Sequence, residues 1–140
     1  MKRILAIDYG QKRVGIAISD PMQIIATGLT TIHSKDIFTF LDNYLTKENI
    51  DTIIVGHPKR FDNTNSSAIK YVKPFFNKLK LRYPNISCIL YDERFTSKIA
   101  FQTMIIAGSK KKDRQKKETI DMISATILLQ DYMNYIKNIK

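Results

Sequence analysis

Three acidic positions have the setting to do chemistry. Asp8 closes the apolar run Ile4-Leu5-Ala6-Ile7, the pair Asp92-Glu93 follows the run ISCILY at 86–91, and Asp121 lies among small and apolar residues late in the chain. A carboxylate at the end of a buried strand is costly unless it is paired or holds a metal. Carboxylates gathered at one sheet edge suit hard divalent cations, Mg²⁺ or Mn²⁺, bound through oxygen. Two such ions roughly 3.5–4 Å apart activate a water and stabilise the leaving oxygen of a phosphodiester. Each acid also has an ordinary alternative use. Asp8 could close a turn by accepting from the amides of Gly10 or Gln11. Asp92 or Glu93 could favour a helix N-terminus beside Arg94, and Asp121 could do the same at the start of the last helix. Zinc is disfavoured, because Cys88 falls mid-strand and neither His33 nor His57 has a partner at ligand spacing.

The elements that must position these acids follow from hydrophobic period and turn residues. Residues 3–9 read as a central strand apolar on both faces up to Asp8. A turn at Gly10-Gln11-Lys12 leads into a second strand over 13–19, and the β-branched stretch 24–32 makes a third. Ser34 is placed to cap a helix running through Lys47, with Asp36 in its first turn and Ile37, Leu41, Tyr44 and Leu45 at helical spacing. A buried strand over 51–56 ends at Gly56 and Pro58, and 57–63 reads as a loop. A helix over 64–83 carries Ile69, Val72, Phe76 and Leu79 on one stripe, with Pro74 expected to kink or split it. After the strand 86–91, Thr96 or Ser97 caps a helix ending near Gly108. A last helix spans 118–137, where Asp121 shares a face with Ser124, Ala125 and Leu128. Early strands in a meander and later strands alternating with helices imply one α/β mixed sheet covered on both faces. Ligands on such sheets gather at the carboxyl ends of strands, where Asp8 and the acidic pair fall.

The 140 residues predict a single domain, 1–140, and the mix of 44% hydrophobic and 26% charged residues is that of a soluble globular chain. One cysteine excludes an internal disulfide and points to a reducing, cytoplasmic setting. The N-terminal apolar run is too short for a signal-peptide core. No stretch approaches the roughly 18 apolar residues of a membrane span. Net charge is +10, from 23 bases and 13 acids. Arrayed bases favour a polyanionic partner, although a Lys-, Ile- and Asn-rich composition is also what an AT-rich genome imposes. The excess is unevenly placed: residues 109–117, SKKKDRQKK, hold six bases and one acid, half of the total. Phe61 and Phe95 fall in loops near the acids, where an aromatic ring can stack on a base.

The run LAIDYGQKRVGIAISD, the segment VGHP, the motif DERFTS and the late DMISA, taken in order across nearly the whole chain, closely resemble the YqgF family. Members are described as pre-16S rRNA nucleases and as Holliday-junction-resolvase-like proteins. The resemblance implies the ribonuclease H-like fold, a five-stranded sheet with three antiparallel strands then two parallel, and a role in maturing the 5′ end of 16S rRNA. It implies Asp8, Glu93 and Asp121 as catalytic, metal-holding acids, with Asp92 a stand-in or fourth ligand. Gly10, Lys12, Arg13 and Gly15 match the family's first loop and hairpin, and Arg94 matches the arginine after the acidic pair. Two departures are visible. His57 replaces a usual hydrophobic residue, and Asp62-Asn63 replaces an Asp-Gly turn, which asparagine tolerates. A junction resolvase of this fold typically has a further acid three residues after the late aspartate, where this chain has Ser124.

The readings to be separated are a metal-dependent nuclease on precursor 16S rRNA or a pre-ribosomal particle, a dimeric resolvase of branched DNA, and an RNA-binding assembly factor without turnover. Each leaves the chain a monomer or homodimer off the membrane. An ATP-binding domain with a similar Asp-x-Gly loop needs two such modules and far more than this length. For phosphate contact the residues expected are Lys12, Arg13, Arg94, Lys110, Lys111, Lys112, Arg114, Lys116 and Lys117. Neutralising Lys110, Lys111, Lys112, Lys116 and Lys117 together should weaken RNA binding and flatten its salt slope, by about 0.7 for each phosphate of a single strand that is no longer neutralised. A titration of binding against salt measures this; an unchanged slope removes the segment from the interface.

Overall fold

A computed structural model describes residues 2–58, 69–93 and 113–138. Its elements are β1 (Arg3–Tyr9), β2 (Arg13–Ser19), β3 (Ala26–His33), α1 (Ile37–Lys47), β4 (Ile50–Pro58), α2 (Ile69–Arg82), β5 (Ser87–Glu93) and α3 (Asp113–Asn138). The sheet order is β3-β2-β1-β4-β5. β1–β2 and β2–β3 are antiparallel, β1–β4 and β4–β5 parallel. This is the mixed five-stranded sheet the sequence predicts.

β1 is central, and Ile4, Leu5, Ala6 and Ile7 are all buried because both faces of the sheet are covered. Alternation sends Leu5 and Ile7 into one core, with Ile37 and Leu41 of α1 and Val72, Phe75 and Leu79 of α2. Ile4 and Ala6 enter the other, against Ala125, Leu128, Leu129 and Met133 of α3. Each such large side chain contributes about 1.5–3 kcal/mol by leaving water. The next step of the alternation puts Asp8 on the α3 face. Tyr9, on the other face, stacks on Phe75 with ring centroids 4.1 Å apart.

Several boundaries differ from expectation for identifiable reasons. β3 starts at Ala26 rather than 24, because the amides of Ile24 and Ile25 donate to Asp20 Oδ1 and are unavailable to a ladder. Ser34 is not the cap. The His33 ring accepts from the Lys35 amide at the start of a single 3₁₀ turn, Ser34–Asp36, and the Ser34 hydroxyl donates to the Gln11 carbonyl. β4 runs through His57 to Pro58, where the sequence predicts a loop. Its pairing with β1 stops at Val55, so among the described residues its strand neighbour beyond that point is β5 alone, and proline is tolerated on such an edge. α2 is one helix with Pro74 inside it, not two, and Phe75 rather than Phe76 is its buried phenylalanine. β5 extends through Asp92-Glu93. α3 begins at Asp113, so Arg114, Lys116 and Lys117 lie in its first turns and not in a loop, the run Arg-Gln-Lys-Lys-Glu being made of good helix formers. The helix expected over 96–108 lies outside the described residues. Among the described residues, no helix is long and apolar enough to cross a membrane.

α3 is held to the sheet at both ends of its contact. Gln130 accepts from the Ala26 amide and donates to the Ile24 carbonyl, pairing with the start of the edge strand. The Tyr91 hydroxyl donates to Asp131. Nearer its start, two glycines let the helix sit close. A Cβ on Gly15 would lie 1.9 Å from the Asp121 carbonyl oxygen, and one on Gly28 would lie 2.7 Å from Met122 Cγ. The first obstacle is backbone and the second a flexible side chain. Gly15→Ala should therefore cost more than the roughly 1–3 kcal/mol of ordinary overpacking, and Gly28→Ala should sit at the low end of that range. Urea unfolding of the two variants measures the difference; near-equal costs would contradict the close docking of α3 on β2.

Candidate active site

The site is assembled from one strand end and one helix face. Asp8 pairs across the hairpin with Gly15, and α3 lies directly over that glycine. The glycine gap thus brings Asp121, by its own backbone, to the strand pair that carries Asp8. Ser124, one turn on, reaches Asp8 with its hydroxyl. Asp121 is the ninth residue of α3, two turns inside the helix, so its expected alternative role as a dipole-favouring acid at the helix start does not apply.

Charge is unevenly compensated here. Asp8 keeps part of its surface accessible, but enclosure of its carboxyl and then the neighbouring Asp121 charge raise its pKa from 3.8 to about 6. The Ser124 hydrogen bond offsets part of that rise. Asp121 has a cation: Arg13 Nε donates to its Oδ2 at 2.6 Å, with the Arg13 side chain 41% exposed and Asp121 19%. The sequence predicts Arg13 as a nucleic-acid contact, and the structure places it on an acid of the site.

The structure brings Asp8 and Asp121 together, with Ser124 and Arg13 beside them. Asp92 and Glu93 are the last two residues of β5, level with His57 and Pro58 of β4 at the same carboxyl edge; these four residues are described by backbone alone. Among the described residues, no three potential metal ligands form a group. Lys12 is exposed in the hairpin turn, its carbonyl accepting from the Ser34 amide. Arg114, Lys116 and Lys117 are likewise described by backbone alone, and Phe61, Arg94, Phe95, Lys110, Lys111 and Lys112 lie outside the described residues. Cys88 packs at the edge of the core on the α1–α2 face, and burial raises its thiol pKa. Sequence reasoning missed the Gly15 gap and the Arg13–Asp121 bond. The first had a signal: counting back from the turn pairs Asp8 with a glycine, and a glycine within a strand marks close backbone approach.

A sheet of this order, covered by helices on both faces, is that of the ribonuclease H-like fold. The Fowlpox virus resolvase, solved with Holliday junction DNA, shares the fold at a TM-score of 0.56 and 17% identity, covering 96% of this chain and 98% of that one. The chain belongs to the RuvX Holliday junction resolvase family, whose model matches residues 2–135. It is similar to a protein of Flavobacterium psychrophilum, 54% identical over 95% of this chain and 97% of the relative. A protein of Bacteroides fragilis is 52% identical over 95% and 96%. Both relatives bear the name "Putative pre-16S rRNA nuclease".

The raised carboxyl of Asp8 has a thermodynamic sign. Below about pH 3 the acid is protonated in both folded and unfolded chains and costs nothing. As pH rises from there through about 6, only the folded chain resists ionisation, so Asp8 lowers stability and continues to do so above. Without added metal, Asp8→Asn should melt higher than the parent at pH 8 and alike at about pH 3. Calorimetry at the two pH values checks this, with about 2–4 °C for each kcal/mol relieved in a chain of this size.

Proposed function

We propose that the acidic edge is a divalent-metal nuclease centre that processes the 5′ end of precursor 16S rRNA. The observation that carries the reading is the adjacency of Asp8 and Asp121 at a strand end. Asp8 is enclosed and repelled by its neighbour, and a bound cation relieves that repulsion. The donors are carboxylate and hydroxyl oxygens, which fit Mg²⁺ or Mn²⁺ and not a softer ion. Asp8, Glu93 and Asp121 would hold the metal. Position 93 is in step with Ile89 and Tyr91, which pack toward α3, whereas 92 is in step with Cys88 and Leu90 on the opposite face. That phase favours Glu93 as the third acid and leaves Asp92 as a fourth ligand only after local adjustment. When bound, a pair of such ions supplies an activated water and stabilises the leaving oxygen.

This chain's own groups do the rest. The hydroxyl of Ser124 holds Asp8, and the Gly15 gap fixes the distance between hairpin and helix. Lys12 at the hairpin turn and the bases at the start of α3 hold the phosphate backbone. The names of the relatives support RNA as the substrate, met on a precursor or pre-ribosomal particle in the cytoplasm. The family's description supports a second reading, a resolvase of four-way DNA junctions, which requires a homodimer to place paired cuts.

Cleavage of precursor 16S rRNA with Mg²⁺ or Mn²⁺ should fall at least about a hundredfold in Asp8→Asn, Glu93→Gln and Asp121→Asn, with Asp92→Asn affected less. Intact cleavage by Asp8→Asn in a clean preparation would sink the nuclease reading. Symmetric nicking of a four-way junction by a dimer, with precursor RNA left whole, would replace it with the resolvase. Salt-sensitive RNA binding without turnover in either metal would make the chain an assembly factor.

A further inference from the structure

Arg13 is ion-paired with an acid of the centre, and its bond is specific in atoms. Nε donates to Asp121 Oδ2 at 2.6 Å, while Oδ1 has no hydrogen bond among the described residues. The two partners stand 108 positions apart in sequence, one at the first residue of β2 and the other above Gly15, two residues further along the same strand. Arg13 therefore grips Asp121 from beside the point where α3 touches the sheet. A carboxylate on a helix has a soft terminal torsion, and a charge-assisted bond to one oxygen removes most of that freedom.

We propose that Arg13 is a positioning residue for Asp121, holding Oδ2 so that Oδ1 alone is left to a divalent cation. The proposal rests on the metal reading of the preceding subsection and deepens it. It gives Arg13 a role different from the phosphate contact that the sequence predicts. Outer partners that orient a ligating carboxylate are worth about 10- to 100-fold in metal affinity. Two effects would mix if the arginine were simply deleted, since losing a positive charge favours the cation while losing the grip disfavours it. Arg13→Lys separates them: it keeps the charge and drops the directional Nε bond.

The test uses the full chain, first without nucleic acid. Calorimetric titration with Mn²⁺ should show Arg13→Lys binding about tenfold more weakly than the parent. In turnover at saturating Mn²⁺, kcat should fall by a similar factor while KM for the nucleic acid stays within about twofold. Equal Mn²⁺ affinity in parent and variant overturns the proposal. So does, in Arg13→Ala, a raised KM with a salt slope shallower by about 0.7–0.9, which would mark Arg13 as a phosphate ligand. A metal-free double-mutant cycle of Arg13→Ala and Asp121→Asn, read by urea unfolding, stands apart from the metal. Coupling of a fewfold in the folding equilibrium constant is expected, and additivity overturns the pairing. A parent that binds no Mn²⁺ at all, with coupling intact, would instead remove the metal reading on which the proposal builds.

Discussion

Between Gly15 of β2 and the Asp121 carbonyl of α3 there is no room for a side chain, and that approach sets where everything else in the site can be. A helix normally rides above a sheet on a layer of side chains. Here one missing Cβ lowers it locally to backbone contact. Gly28 does the same for β3 with a softer neighbour. Further along the same face, Ala125, Leu128, Leu129 and Met133 are buried against the sheet. The backbone contact at Gly15 is what lets an acid on a packing face reach an acid on a strand.

Bringing two carboxylates together has an electrostatic cost that the fold distributes unequally. Among the described residues, Asp121 receives a guanidinium and Asp8 a serine hydroxyl. Asp8, enclosed and facing the Asp121 charge, holds its proton to about pH 6. A charge arriving from solution is met by one acid already neutralised and one in need of neutralising. Hydrophobic burial around β1 supplies the stability that carries this unfavourable pair, since Ile4, Leu5, Ala6 and Ile7 are shut from solvent on both sides.

Much of this is legible in the sequence, and what is not shares a cause. The sheet, its strand directions and the prominence of Asp8 follow from local patterns: an apolar run ended by an acid, a hairpin turn and alternating strands and helices. The placement of Asp121 on the small, apolar face of its helix is also readable from period alone. Boundaries escape the local pattern where a distant or polar partner takes over the backbone, as when Asp20 captures the amides of Ile24 and Ile25, or when β4 outruns β1 and can carry Pro58. The Arg13–Asp121 bond escapes it for the same reason. Nothing in a hairpin arginine says which residue a hundred positions later will take its Nε.

That separation has a consequence for how the protein is made. Asp8, Arg13 and Gly15 lie within one hairpin near the N-terminus, a local structure that closes within microseconds once it has emerged. Asp121, Ser124 and the helix that carries them are synthesised late. At about 5–20 residues per second, the N-terminal half of the site waits several seconds on the ribosome for its complement. During that time Asp8 is an ordinary solvated carboxylate without its partner. The pairing of the two acids therefore forms only when the helix bearing Asp121 has been made.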